Sequence, residues 1–308
     1  MIGLADPHLV QTGFDIGALQ DHVTALRGQG AAVVVLLSQL GFEADRALAA
    51  GLSGVDVILS GRSGYALPEP EVVGETHIIA SGTQGRFVSR VDIAVQDRRM
   101  NGLRHRLIPV FSDLIAPDAE VQMMLNNPPS RTLGTAGVTL YHQDTFSGTW
   151  EALIAAAMIE ETGTDAALLP PLRAGPTVLA GQPISARDIA HVTTGAQVVK
   201  RRLSGPAVTA LLERAAHAAF AADPFARETT RMMRAGGLGY TIAPQAAAGA
   251  RISDLVLQAT GAVIAADRML DMAIWEPATG APLAETLTRY ISRRDRVKVE
   301  PAAVTVLD

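Results

Sequence analysis

Two short apolar runs, Ala31–Leu37 (AAVVVLL) and Val55–Leu59 (VDVIL), flank a helix-patterned stretch at Glu43–Leu52 (EADRALAAGL). Few folds accept that order. Runs this short and this rich in β-branched residues read as strands buried on both faces, and two of them joined through a helix must lie parallel. Upstream, Asp15–Arg27 sets Ile16, Leu19, Val23 and Leu26 at helical spacing, and Gly28 and Gly30 end the helix. The expectation is an α/β unit. Its loops after the two strands, Ser38-Gln39 and Arg62-Ser63, fall at the strands' C-terminal ends, the edge at which open α/β sheets collect ligands.

Further along, Thr76–Ser81 and Phe87–Val95 read as strands, joined as a hairpin through Gly82-Thr83-Gln84-Gly85. A helix is expected from Ser112, as N-cap, to Asn126, stopped by Asn127-Pro128-Pro129. A helix closed by a proline pair between two differently patterned halves marks a boundary, giving a first domain at 1–110, a linker helix at 111–130 and a second domain at 131–308. The second half opens with an expected strand at Gly137–Tyr141, followed by helices at Thr149–Thr162 and Pro206–Ala222.

Several function classes fall away on composition and motifs. The net charge of −5 argues against a broad grip on nucleic acid, and the basic run Arg289–Lys298 reads as a solvated face. There is no cysteine, hence no disulfide, thiolate metal site or cysteine nucleophile. The longest apolar stretch, Ala31–Leu37, is far below the roughly 20 residues of a membrane span. The opening MIGLADPHLV has no basic and apolar leader pattern, so a periplasmic location would need an upstream signal, and the chain as written is otherwise cytoplasmic. The seven histidines are scattered, with no HxH, HExxH or HxxxH spacing to put two imidazoles on one metal. Asp6-Pro7-His8 has the Asp-x-His form with which metallophosphoesterases begin a metal site, but too few residues separate it from Gln39 for the other ligands. No GxSxG elbow, Walker loop or strand-linked GxGxxG is present, and Gly236-Gly237-Leu238-Gly239 lacks the lysine of a phosphate loop.

Residues 33–70 (VVVLLSQLGFEADRALAAGLSGVDVILSGRSGYALPEP) resemble the third quarter of the metallophosphoesterase domain of 5′-nucleotidases. That family carries Ser-His-x-Gly after the first of these strands and Gly-His-x-His after the second. The corresponding positions here are Gln39, Arg62 and Gly64. The second half narrows the resemblance to the SoxB thiosulfohydrolases. Asp144–Ala156 (DTFSGTWEALIAA) is similar to the segment opening that family's C-terminal domain, and Pro170–Gly175 (PPLRAG) to its Gly-Phe-Arg-Trp-Gly loop, which puts Arg173 on a substrate-facing arginine. Gly181–Val192, Met233–Tyr240 and Ala243–Ile252 follow in the family's order. The upstream segment with the family's Asp-x-His and Gly-Asn-His-Glu/Asp ligands has no counterpart.

The resemblance implies an α/β fold: a partial metallophosphoesterase-type α/β sandwich followed by a 5′-nucleotidase C-terminal-type α/β domain. It also implies a family chemistry of two divalent metals, manganese or zinc, whose ligand positions have degenerated here. A metal pair roughly 3.5–4 Å apart needs several anionic or imidazole ligands, and a guanidinium at one of them brings permanent positive charge instead. The expectation is therefore no bound metal cofactor and no metal-dependent hydrolysis. Arg62 and Arg173, with Arg234 and Asp144 from matching segments, become candidate substrate-binding residues, the two arginines as a fork for a sulfonate, sulfate or phosphate group. Phe146, Trp150 and Tyr240 also lie in matching segments, and Trp150 reads as core or as a ligand-flanking ring. The implied partners are a small sulfur oxyanion or a SoxYZ-type carrier. Two alternatives stay open: a part of an active hydrolase whose missing ligands come from another polypeptide, and a remnant with an open sheet edge.

Overall fold

The computed structural model describes all residues except 6–14, 112–113, 126–129, 143, 173–174, 229–230, 278–279 and 308. The expected Asp6-Pro7-His8 element, the Ser112 cap and the Asn126–Pro129 stop lie outside the described residues. Two compact units make up the chain: Met1–Asn126 with Asp223–Phe225, and Asn127–Ala222 with Ala226–Asp308.

In the first unit, β1 (Ile2–Leu4), α1 (Ile16–Gly28), β2 (Val35–Ser38), α2 (Phe42–Gly51), β3 (Val57–Ser60), β4 (Glu71–Val73) and β5 (Thr76–Ile79) form the α/β layer. Its sheet runs β1-β2-β3-β5-β4, parallel except where β4 meets β5. The side chain of Asp15 caps α1 by accepting from the amides of Gly17 and Ala18. Leu36, Ile58 and Ile78, aligned across β2, β3 and β5, are fully buried in the cluster that includes Leu19, Val23 and Leu48. β2 starts later than its apolar run suggests because residues 31–34 are held by side chains. Arg27 donates to the carbonyls of Ala31 and Ala32 at 3.0 and 2.9 Å, and the Val34 amide donates to the Asp56 carboxylate at 2.6 Å.

The expected hairpin through Gly82–Gly85 does not form. β6 (Phe87–Gln96) pairs instead with β7 (Arg99–Pro109) as a separate antiparallel ribbon. Its two-residue turn is Asp97-Arg98, both at positive φ (49° and 60°), the conformation that matches strand twist in tight hairpins. Asp-Arg is an unusual choice there, and β7, with Arg, Asn and Gly among its exposed positions, hides its partnership. The linker helix shrinks to α3 (Ala119–Leu125), whose amides at Glu120 and Val121 are capped by Asp118.

The second unit contains β8 (Thr132–Ala136), α4 (Thr149–Thr162), β9 (Ala166–Leu169), β10 (Pro183–Ser185), α5 (Ala186–Thr193), β11 (Gln197–Ser204), α6 (Gly205–Phe220), β12 (Arg234–Gly236) and β13 (Leu238–Ile242). It continues with β14 (Ile252–Leu257), β15 (Ala262–Val263), β16 (Met269–Glu276), β17 (Ala281–Pro282), α7 (Leu283–Ser292), β18 (Arg296–Val297) and β19 (Val304–Val306). Its central sheet is β12-β9-β16-β11-β17, flanked by sheets β10-β8-β18 and β15-β14-β13-β19. Strand alternation divides the core. Ala167 and Leu169 of β9 join Trp150 and the faces of α4 and α7, whereas Ala166 and Leu168 join Val208 and Leu212 of α6. With helices on both sides, β9 is apolar at every position.

The strand expected at Gly137–Tyr141 is displaced to β8. Residues 137–141 keep an isolated bridge between Leu140 and Val178 and a bond from the Gly137 amide to the Val297 carbonyl at 2.7 Å, an approach that leaves no room for a Cβ at Gly137. Among the described residues, no helix is long and apolar enough to cross a membrane.

Candidate functional site

The C-terminal ends of β2 and β3 bring two of the expected loops side by side. Ser38 and Ser60 are in register, and the Gly61 amide donates to the Ser38 carbonyl at 2.7 Å. A side chain at Gly61 would collide with that carbonyl, its Cβ only 2.8 Å away. Gln39 is exposed, its amide held by the Leu4 carbonyl at 3.1 Å. Arg62 is exposed and sits at φ 56°, the left-handed region that L residues avoid, and Gly64 follows at φ 73°. A strained non-glycine residue at a strand end is the sort of outlier that points towards function.

The donor set at this edge does not suit a metal pair. Gln39 offers one neutral amide oxygen, Gly64 offers no side chain, and Arg62 offers a cation. Among the described residues no group of three or more His, Asp or Glu gathers to hold an ion.

Beneath these loops lies a carboxyl that the sequence did not single out. Asp45 of α2 is fully buried, with the buried side chains of Ser38 and Ser60 beside it. Burial pushes its pKa up to about 6, and the two serine hydroxyls pull it down by less.

In the second unit, the matching segments converge on a buried ion pair. Arg234, 3% exposed, donates from Nε to Glu151 Oε1 at 3.3 Å, from one terminal nitrogen to the Thr145 carbonyl at 2.9 Å and from the other to the Asp144 carbonyl at 2.7 Å. Its guanidinium is thus turned inward, and it acts by holding residues 144–145. The Asp144 carboxylate is likewise engaged locally, accepting from the amides of Phe146 and Ser147, both at 2.8 Å. Arg173 lies outside the described residues, and the described residues on either side of it are held by α4. Glu151 Oε1 accepts from the Leu172 amide at 3.2 Å, and the Trp150 indole donates to the Pro176 carbonyl at 2.7 Å. Burial raises the Glu151 pKa, against the opposing pull of Arg234.

Two further residues belong to this cluster. Arg231 donates to the His142 carbonyl at 3.2 Å, and burial followed by the charge of Arg234 lowers its pKa. His142 is buried, and Gly175 packs so close that a Cβ there would contact the imidazole at 3.4 Å. The available signals were the second arginine in Arg231-Met232-Met233-Arg234 and an acid, Glu151, in the first turn of a helix just before the apolar run Ala152–Ile159.

Gly148, the N-cap of α4, is what lets these loops approach. A Cβ there would collide with Glu151 Oε2 and stand 2.7 Å from the Tyr141 carbonyl. Gly148→Ala is expected to destabilise the chain by about 1–3 kcal/mol through overpacking. Chemical denaturation would measure this, and a change within experimental error would show that the α4 entrance has slack.

The sequence profile of the 5′-nucleotidase C-terminal domain family matches residues 126–276. Among solved structures, the chain is similar to the sulfate thiohydrolase SoxB of Thermus thermophilus in complex with glycerol, at 30% identity and a TM-score of 0.86. The match covers 96% of this chain and 58% of that one, so the chain spans little more than half the length of that relative. A 5′-nucleotidase precursor, also from Thermus thermophilus, shares the fold, at 19% identity, a TM-score of 0.79, and coverage of 96% of this chain and 68% of that one. No curated protein matches the sequence.

Proposed function

From the premise that this chain belongs to the 5′-nucleotidase superfamily and has a SoxB-like α/β build, we propose that it is a non-hydrolytic member that binds a small sulfur oxyanion or a carrier-borne sulfonate. The observation that carries this reading is the donor set after β2 and β3, where Gln39, Arg62 and Gly64 stand at the resemblance's metal positions. Without a dinuclear centre there is no activated water and no Lewis acid for the leaving group. What remains at Arg62 is a cation in a constrained backbone conformation, suited to an oxyanion rather than to a metal. In the second unit, taken by itself, Arg173 is the candidate anion-binding residue that the resemblance gives. Arg234 and Asp144 serve by shaping the loops. The resemblance to SoxB is what supports a carrier of the SoxYZ type as the source of a bound sulfonate and a role in sulfur oxidation, in the periplasm if the chain is exported.

Calorimetric titration with sulfate and with thiosulfate tests this. The parent protein is expected to bind, Arg62→Ala to lose about tenfold or more in affinity, as expected for one charge-assisted contact, and Arg62→Ala/Arg173→Ala to show no binding. Equal binding by the double variant and the parent would end the proposal. A second reading, one part of an active hydrolase, is favoured by the 58% coverage of the SoxB chain. Stoichiometric manganese or zinc together with turnover of a chromogenic phosphate ester would establish that reading over ours.

A further inference from the structure

In the first unit's parallel sheet, the apolar row Leu36, Ile58 and Ile78 faces the helices. Two residues further along β2 and β3 the same face turns polar, presenting Ser38 and Ser60 in register. Asp45 descends on this pair from the first turn of α2, and it is fully buried. Both of its carboxyl oxygens and Ser60 Oγ are buried without a well-formed hydrogen bond. Buried polar atoms in native proteins are nearly always satisfied, so three of them meeting with poor hydrogen-bond geometry, although the Ser38 and Ser60 hydroxyls lie close enough to lower the Asp45 pKa, mark a strained or switchable arrangement. The two serines are the last residues of the strands that lead into Gln39 and, through Gly61, into Arg62.

We propose that Asp45 is the positioning residue of this edge: as a neutral acid it lets α2 seat against Ser38 and Ser60 and holds the Gln39 and Arg62 loops, and as a carboxylate it loosens them together. The consequence for ligand binding rests on the reading that Arg62 grips an oxyanion, since ionised Asp45 would both unsettle that loop and place a negative charge beneath it.

Other charged groups around α2 are committed elsewhere. Arg46 bridges Glu43 on its own helix and Glu71 of β4, and Asp56, just before β3, pairs with Arg27. His77 of β5 faces away, because alternation sends it to the side of the sheet opposite Ile78. Tyr65 packs its ring on Phe42 at the start of α2. The rise of the Asp45 pKa from 3.8 to about 6 sets the ceiling for the effect, roughly a hundredfold, at one decade per pKa unit. The sign follows from the folded value lying above the unfolded one: the edge is favoured in acid and weakens as pH rises from about 4 to about 6.

Amide hydrogen exchange of the intact chain at pH 5 and pH 7.5, corrected for intrinsic rates, decides the matter. The reporters are the Gln39 and Gly61 amides, bonded to the Leu4 and Ser38 carbonyls. Wild type is expected to lose roughly tenfold of their protection at the higher pH, the remainder of the effect lying below pH 5. Asp45→Asn is expected to keep the same protection at both pH values. In Ser60→Ala, which removes a hydroxyl that lowers the Asp45 pKa, the loss should shift to higher pH. Equal pH responses in wild type and Asp45→Asn would overturn the inference, as would an unshifted response in Ser60→Ala. Sulfate titration of the same samples separates the two ideas: Asp45-dependent protection without sulfate binding would leave the positioning role standing and remove the Arg62 reading alone.

Discussion

Arg234→Ala is expected to cost the chain about 3–5 kcal/mol in denaturant unfolding, the range for removing one partner of a buried ion pair. The side chains of Arg234 and Glu151 are 3% and 1% exposed, so water cannot replace what is lost. The variant strands the Glu151 carboxylate and also frees the Thr145 and Asp144 carbonyls, which together accept two of the arginine's donors. The deficit should depend on pH. Burial already raises the Glu151 pKa, and Arg234 is the largest influence pulling it down. Without the arginine the folded-state pKa climbs further above its unfolded value, so stability falls as pH rises and the variant is most damaged in mild base. Arg234→Met/Glu151→Gln should recover much of the loss, because neither remaining group carries a buried charge. An Arg234→Ala protein unfolding within 1 kcal/mol of the parent, by this same scale, would mean that the pair is not what fastens residues 144–145 and 172.

How much of this was legible beforehand depends on whether the signal was local. α1, α2, α4 and α6 were readable because caps and apolar spacing lie within one turn or a few: Asp15 before α1, Pro206 in the first turn of α6, Gly163 after α4. The parallel pairing of β2 and β3 followed from two apolar runs joined by a helix. The β6–β7 ribbon was not readable, since its turn is Asp97-Arg98 and strand pairing is a contact between segments rather than a property of either one. The resemblance to SoxB placed Arg62, Arg173, Arg234 and Asp144 in motif-matching segments, and the structural similarity to SoxB supports the family. A motif match does not carry burial, however. Nothing in Met233–Tyr240 reveals that Arg234 turns inward to two carbonyls and a carboxylate, or that Glu151 in the first turn of α4 receives it. Asp45 was hidden for the same reason: in Glu43–Leu52 an acid beside Arg46 looks solvent-facing until the register of Ser38 and Ser60 is known.

Trp150→Ala should be the most damaging truncation of an apolar side chain in the second unit, at about 3–5 kcal/mol. The indole is fully buried and is the largest such side chain, packed in the cluster that includes Leu140, Leu153, Val178 and Ile189. It has a second role through the bond from its ring nitrogen to the Pro176 carbonyl. Trp150→Phe separates the two roles. It keeps most of the packing but leaves a carbonyl without its donor, a loss of about 1–3 kcal/mol for a buried group. If the bond matters only to the core, the Phe variant will melt lower and bind sulfate as the parent does. If it fixes the loop that carries Arg173, sulfate affinity should fall in the Phe variant at temperatures where the protein is still fully folded. We expect the second result, because the described residues on either side of Arg173 are held, the Leu172 amide by Glu151 and the Pro176 carbonyl by Trp150. Unchanged sulfate affinity in folded Trp150→Phe would restrict the tryptophan to the core and leave Glu151 as the anchor of that loop.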